Sequence, residues 1–589
     1  MRKVIRVDMS EQRVGTEPLP EKWERYGGRA LTDALVFEMV PPDADPLGPD
    51  NVLVFAPGLF GGTYAPNGGR LSVGAKSPLT GGIKESNAGG EAAHALGKLE
   101  IAAVIVTGKT EDPDARYLLS IENDGEAKLT GVDEWAGLDN YATAAALRKK
   151  RNPNDIFATI TCGPAGEAGM KAATVAVSDV LRRPNRIAAR GGLGAVMGAK
   201  GLKAIAICDR GLSFTAHADA AAFNLAMRRF AGALHAHEVS GTALPTYGTN
   251  YLMNVVNEAG ALPTRDFSSG RFEGASAISG EAQREITLAR GGDVRHGCHT
   301  GCIIQCSRYW HGPDRLYRGK GPEYETAWAF GANCGIDDLD VVGELDRICG
   351  EYGLDPTETG VGLGVCMSSG VLAFGDGAGA ISAVRSVFEG GKPGRVLGDG
   401  AEAVAAAIGA TRVPTVKHQA MSGLDPRAVP GVGVTYATSP MGADYTAGDT
   451  TAADSAGDAE GTGDAAGAVG LSRKLQVLTA MLDAMGLCAF VIYAVLDVPE
   501  AFAAIHEMAA AHAGQEWDAE GLLRLGRETL ALERLFNERA GLAAEDDRLP
   551  EWMLETPLPP LGTAFSVANA DLDTLFDFVD GTAEAMGIE

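Results

Sequence analysis

No apolar run in the sequence approaches the roughly 20 residues that a membrane span requires, so no spanning helix is expected. The first residues, MRKVIRVDMS, carry basic groups with no apolar stretch behind them. No secretory leader is expected, and the expected location is cytoplasmic. Basic residues are in deficit: 51 Lys and Arg stand against 77 Asp and Glu, a formal net charge of -26. Nucleic acid and anionic membranes are therefore poor partners, and the plain consequence of the charge is solubility. No internal repeat at a fixed period is visible. A disulfide framework is also missing: the nine cysteines are odd in number and partly clustered, a pattern that fits metal ligation.

With 589 residues, the chain exceeds the roughly 250–300 that one hydrophobic core supports, so two to four domains are expected. Short apolar runs at Val52–Ala56, Ala102–Thr107, Ile156–Thr161 and Ala204–Cys208 predict buried strands, separated by glycine-rich turns. After Asp209, helical periodicity takes over, as in Ala216–Glu238, Leu339–Tyr352, Arg473–Leu487 and Gly521–Arg539. A β-rich front followed by a helical body defines an α+β fold. Residues Thr446–Gly470 are almost all Ala, Gly, Asp, Thr and Ser, with no basic residue. Their acids do not match a calcium loop, and a surface loop or an ordered loop beside a site is expected.

The strongest chemical signal is Cys298-His-Thr-Gly-Cys302-Ile-Ile-Gln-Cys306. Three thiolates this close can converge on one centre, and a cubane iron–sulfur cluster takes three near ligands and one remote. Cys488, which ends Asp483-Ala-Met-Gly-Leu-Cys488, is the candidate for the remote one, because a glycine at a helix terminus permits a sharp turn. A zinc site remains open, since His296 and His299 flank the thiols. A radical S-adenosylmethionine site would need a spacing one residue shorter.

Arg190-Gly-Gly-Leu-Gly-Ala-Val-Met-Gly198 nearly fits a dinucleotide loop. The next apolar run, Ala204–Cys208, begins too soon for the helix such a loop requires. A nest of backbone N–H groups that holds phosphate, aided by Arg190, is the remaining ligand reading. Asn67-Gly-Gly-Arg70 and Glu85-Ser-Asn87-Ala-Gly-Gly90 have the same character, and each also fits an ordinary turn.

Taken in order, these motifs resemble the aldehyde:ferredoxin oxidoreductase family of tungsten or molybdenum bis-pyranopterin enzymes. The resemblance runs through Tyr26-Gly-Gly-Arg29, Gly68-Gly-Arg70, Lys76-Ser-Pro-Leu-Thr-Gly81, Ser86-Asn87-Ala-Gly-Gly90, Arg190–Lys200, Gly321-Pro-Glu323-Tyr-Glu325, Asp425-Pro-Arg427, Gly442-Ala-Asp444, Asp483–Cys488 and Phe536-Asn-Glu-Arg539. It implies a β-rich saddle domain at 1–209, a helical domain with the cysteine triplet at 210–412 and a helical domain with the fourth cysteine at 413–589. Together they would enclose the bis-pterin. It also implies a [4Fe–4S] cluster on Cys298, Cys302, Cys306 and Cys488. Arg70 would lie between cluster and pterin. Asn87, with the backbone at Ala189, Arg190 and Gly191, would hold a Mg2+ that bridges the pterin phosphates, and Gly192 would line the same nest. Asp355, Asp444, Asp483, Gly486 and Leu487 would grip the pterins. A homodimer and a ferredoxin or iron–sulfur electron-transfer subunit are the implied partners.

The sequence departs from the family pattern at three places. The triplet is spaced x3 then x3, where x2 then x3 is usual. Gly350 stands where the first pterin turn usually carries an acid. Tyr445 follows Asp444 where a histidine can occur. The expected reaction is oxidation of an aldehyde to a carboxylic acid, with Glu323 or Glu325 as the carboxylate that handles the proton and Tyr445 as hydrogen-bond donor to the substrate oxygen. The same glutamates also fit a helix cap or an ion pair. Reduction of an acid or acyl thioester, and a non-catalytic electron-transfer subunit, are the rival functions.

Overall fold

A computed structural model describes residues 2–151, 157–389, 392–451 and 465–588. Twelve strands precede residue 209 and form two six-stranded sheets. The first contains β1 (Lys3–Asp8), β2 (Arg13–Pro18), β3 (Leu53–Pro57), β4 (Leu71–Lys76), β5 (Ile83–Ala88) and β6 (Ile101–Thr107), in the order β2-β1-β6-β3-β4-β5. The second contains β7 (Tyr117–Ile121), β8 (Ala127–Gly131), β9 (Phe157–Cys162), β10 (Val175–Val177), β11 (Arg186–Ala188) and β12 (Leu202–Cys208), in the order β11-β10-β9-β12-β7-β8. Each sheet is mixed, with parallel pairing only at β1–β6 and β7–β12. Of the expected strand at 156–161, Ile156 lies outside the described residues.

Strands β3 and β4 are buried on both faces, which explains their continuous apolar runs. Alternation sorts their side chains. Leu53, Phe55, Leu71 and Val73 pack with Leu119, Ile160, Val175 and Ile205 of the second sheet. Val54, Ala56 and Ile83 face the other way, onto Leu31, Leu35, Leu482 and Met485 of the helical layer. The first sheet is thus the middle layer of a sheet–sheet–helix stack, and its edge strand β5, with edge strand β11 of the second sheet, lines the site.

The helical body has a second core, built mainly from segments between Met253 and Leu575, with Ala165, Met170, Ala173 and Ala195 joining it from the N-terminal region. Helix Leu339–Tyr352 forms over the expected span, and helices Ala519–Arg539 and Ala220–Ala236 form within two to four residues of theirs. The helix expected at 473–487 starts earlier, at Ala465, and ends at Met485. The last six residues of the Ala/Gly/Asp-rich stretch are therefore helix, which corrects the surface-loop reading there. Residues 452–464 of that stretch lie outside the described residues. Among the described residues, no helix is long and apolar enough to cross a membrane.

Candidate active site

Both pterin-turn motifs are helix C-caps. Helix Ala465–Met485 ends on Gly486 in the left-handed region (φ 75), and the Leu487 N–H bonds back to the Leu482 carbonyl at 2.9 Å. Helix Leu339–Tyr352 ends on Gly353 (φ 76), and the Leu354 N–H reaches the Cys349 carbonyl at 2.9 Å. Each cap turns the chain so that the next residue, Cys488 or Asp355, lines one internal cavity. The last carbonyls of the first helix would otherwise be orphaned. They accept instead from the N–H groups of Leu59 (3.1 Å, to Ala484) and Phe60 (3.0 Å, to Met485), and the Gly486 carbonyl accepts from Arg70 (3.1 Å).

The cavity has a volume of about 380 Å³, against the roughly 10–15 Å³ that one water centre needs. Cys298, Cys306, Cys488, Arg70, Asn87, Ala189, Arg190, Glu323, Glu325, Asp355, Asp444, Tyr445 and Asp483 all line it. The sequence analysis had picked out every one of them. Gly191, Gly192, Gly486, Leu487 and Cys302 do not line it. A Cβ on Gly191 would stand 2.4 Å from Lys84 Cγ and one on Gly192 2.3 Å from the Lys171 carbonyl, so these glycines serve close packing. Leu487 is buried in the helical layer.

The cysteine triplet occupies the loop between β13 (Asp293–His296) and β14 (Ser307–His311). Thr300, within the longer first gap, is solvent-exposed but tied down by its polar groups. Thr300 donates to Glu91 through its N–H (2.7 Å) and hydroxyl (3.0 Å), while His94 and His299 both bond its carbonyl, at 2.8 and 2.7 Å. Cys298, His299 and Cys302 present ligand atoms within 4.8 Å of one another. Burial pushes the Cys488 thiol up to about 11, and burial, then Cys488 and Cys298, raise Cys306. Cys302 is raised as well, first by its bond with Cys298, whereas Cys298 is lowered to about 6 by that same bond and by Arg186 and Arg70. One thiol that ionises readily beside three that resist it suits a positively charged centre, where the thiolate is the ligand form.

A chain of charge-assisted bonds connects this end to the second pterin turn. Arg70 Nε donates to Asn87 Oδ1 at 2.6 Å, and Asn87 Nδ2 donates to Asp483 Oδ1 at 3.1 Å. Arg29 Nη1 donates to Asp483 Oδ2 at 3.2 Å and forks onto Glu533 at 2.7 and 3.0 Å. Asn87 Oδ1 keeps one lone pair for a cation. At the other end, Arg190 Nε lies 3.4 Å from Asp355 Oδ2, and its Nη2 bonds Glu358 and the Ala420 carbonyl at 3.3 and 2.5 Å. Gly350 leaves open space where an acid would stand. One turn earlier, the buried Asp346 pairs with Lys320 at 3.4 Å.

The two glutamates diverge. Glu323 is the N-cap residue of helix Tyr324–Phe330, but its side chain makes no capping bond. It faces Arg186 (3.5 Å) and Lys320 (4.0 Å). Burial pushes its carboxyl up, and Lys320, Arg186 and Arg70 outweigh that and hold it below its ordinary value. Glu325 accepts from the Tyr445 hydroxyl at 2.6 Å and the Gly423 N–H at 3.0 Å. Burial raises it to about 7, against the pull of those two bonds. Of these two, Glu325 is therefore the one poised to exchange a proton near neutral pH. Glu85, elsewhere on the cavity wall, is raised to about 7 as well, by burial and then Asp483.

Buried polar atoms in the cavity wall test what the space holds. Glu85 Oε1, Asn185 Oδ1 and Arg186 Nε and Nη2 have no hydrogen-bond partner among the described residues. Each would cost about 1–3 kcal/mol if left so. Six cations, Arg29, Arg70, Lys84, Arg186, Arg190 and Lys320, line the cavity beside six carboxyl groups, Glu85, Glu323, Glu325, Asp355, Asp444 and Asp483. A large polar guest that carries both anionic groups and hydrogen-bond donors fits these walls, and a thiolate-bound cluster fits the adjoining cysteines. The sequence analysis gave no role to Arg29, Lys84, Glu85, Arg186 or Lys320. Of these, Arg29 and Glu85 carried a signal, within the Tyr-Gly-Gly-Arg and Glu-Ser-Asn-Ala-Gly-Gly motifs.

A two-sheet saddle, capped by helices over a polar cavity flanked by thiols, defines an oxidoreductase built around a buried cofactor. The sequence model for the N-terminal domain of aldehyde ferredoxin oxidoreductase matches residues 4–209, and that for domains 2 and 3 matches residues 226–577. The chain belongs to the aldehyde ferredoxin oxidoreductase family. It is 34% identical over 582 residues to the tungsten-containing aldehyde ferredoxin oxidoreductase of Thermococcus kodakarensis, covering 95% of this chain and 92% of that protein. It is 33% identical over 583 residues to the Pyrococcus furiosus protein of the same name, with the same coverage. The solved active-site complex BamBC of benzoyl coenzyme A reductase shares the fold, at a TM-score of 0.79 and 20% identity, with 100% of this chain and 94% of that one covered.

Proposed function

We propose that this protein oxidises an aldehyde to a carboxylic acid on a tungsten or molybdenum bis-pyranopterin and passes the electrons through a [4Fe–4S] cluster to a ferredoxin-type acceptor. Aldehyde plus water gives the acid, two electrons and two protons. When bound, the metal would supply a two-electron acceptor and a Lewis acid for the carbonyl. Cys298, Cys302, Cys306 and Cys488 would hold the cluster. Arg70, Arg190, Asp355, Asp444 and Asp483 would hold the pterin. Asn87, with the backbone at Ala189 and Arg190, would offer oxygen ligands for a Mg2+.

Glu325 receives the proton released as water adds, because its carboxyl is balanced near neutrality. Tyr445 fixes the orientation of that carboxylate. Glu323 stays ionised between Arg186 and Lys320 and balances the cations beside the cluster. The observation that carries this reading is that Glu325 and Cys488 line the same cavity, so proton and electrons leave one site by different walls. The test is metal analysis of anaerobically purified protein, joined to an aldehyde panel with a viologen dye. Tungsten or molybdenum with aldehyde-dependent dye reduction is expected. Iron without either metal, or turnover of acyl thioesters alone, would overturn the proposal.

A further inference from the structure

Asn67 is fully buried and adopts a left-handed backbone (φ 60), which asparagine tolerates better than most residues. Every polar group it has is engaged with a segment that carries a cysteine. Its N–H donates to the Gly301 carbonyl at 3.0 Å, inside the triplet loop. Its carbonyl accepts from the Cys488 N–H at 3.0 Å. Its Oδ1 accepts from the Ile303 N–H at 3.1 Å, and its Nδ2 donates to Cys302 Sγ at 3.7 Å. The Ile303 amide can only donate, so it fixes which end of the Asn67 carboxamide is oxygen and aims the NH2 at the sulfur. Cys302 Sγ also accepts from the Gln305 N–H at 3.4 Å.

Cys306 and Cys488 lie 182 positions apart, and among the described residues no secondary structure pairs their segments directly. Asn67 joins them through one residue of the first sheet's β3–β4 connection. Gly69, two residues on, lets the same connection pass beneath the loop: a Cβ there would stand 2.3 Å from His299 Nδ1.

We infer that Asn67 is a positioning residue for the cluster, which sets the spacing of Cys488 from the triplet and raises the cluster's reduction potential through its N–H bond to Cys302. Hydrogen bonds to the ligating sulfur stabilise the more negative, reduced cluster. The inference rests on the reading that these four cysteines hold a [4Fe–4S] cluster. Asn67→Asp keeps the backbone, the left-handed turn and the acceptor for Ile303, and removes the donor to sulfur. Asn67→Gly also suits the turn and removes the whole side chain without adding charge.

Iron and sulfide content and an EPR-monitored redox titration of the full chain separate the outcomes. Wild-type protein without iron and sulfide sinks the cluster reading and this inference with it. With the cluster present, Asn67→Asp is expected to keep its iron and to titrate lower, by about a tenfold change in the reduction equilibrium, roughly 59 mV for one electron. Asn67→Gly is expected to titrate lower as well and to lose iron faster to a chelator. If both variants keep full iron at the wild-type potential, Asn67 has no such role, although the cluster reading stands.

Discussion

The Tyr445 hydroxyl donates a 2.6 Å hydrogen bond to Oε1 of Glu325, and these two residues lie 120 positions apart in the chain. The bond places a neutral donor beside a carboxyl that burial has raised to about 7. Glu325→Gln keeps the shape and removes the base. We expect kcat to fall about 100- to 10,000-fold, the usual span for a general base, with little change in KM. Steady-state kinetics at saturating aldehyde would check this. A variant with more than half the wild-type kcat would exclude Glu325 as the proton acceptor.

Tyr445→Phe tests the same pair through pH. The hydroxyl favours the ionised carboxylate, so its removal raises the Glu325 pKa further. The base acts as carboxylate, so activity climbs as pH rises through that pKa. The acid limb of the kcat/KM profile should therefore lie near pH 7 in the wild type and move to higher pH in the variant. An unmoved or lowered limb would break the link between Tyr445 and Glu325.

The fold class and the cavity's motif residues were legible because each left a local mark. The doubly buried strand β3 showed as an unbroken apolar run, and the x-x-Gly-Leu turns showed as helix ends. The sheet order was not legible, because β1 pairs with β6 nearly a hundred residues away, Lys3 against Ile101. Nor were the buried cations. Lys320 and Arg186 look like surface residues until Asp346 and Glu323 are seen against them. Glu323 and Glu325 could not be told apart either. They sit two residues apart at a helix start, and only the walls they face divide an ionised carboxylate from a titrating one.

Arg29 binds Glu533 through two parallel bonds and Asp483 through a third, joining helices Gly28–Met39, Ala465–Met485 and Ala519–Arg539. All three side chains are buried. Arg29→Met strands two carboxylates in the interior. We expect a loss of about 3–5 kcal/mol, the usual cost of breaking a buried pair on one side. Arg29→Lys should recover only part of it, since an ammonium cannot fork onto Glu533. Denaturant midpoints would read both effects, and a loss below about 1 kcal/mol for Arg29→Met would contradict the buried-pair account.

Gly58 touches Gly486 backbone to backbone. A Cβ on Gly58 would stand 2.1 Å from both Cα and N of Gly486 and 2.4 Å from the Met485 carbonyl carbon. No side chain is available to rotate away, so Gly58→Ala must move the turn itself. That turn carries Asp483 on one side and Cys488 on the other, so a shift displaces the proposed pterin contact and the proposed cluster ligand together. We expect Gly58→Ala to lose iron and tungsten or molybdenum in parallel, while far-UV circular dichroism stays close to wild type because the sheets do not depend on the turn. Gly15→Ala is the control, since a Cβ there meets nothing within 4 Å. Loss of one metal with full retention of the other would mean that the two sites do not share this turn as their common support.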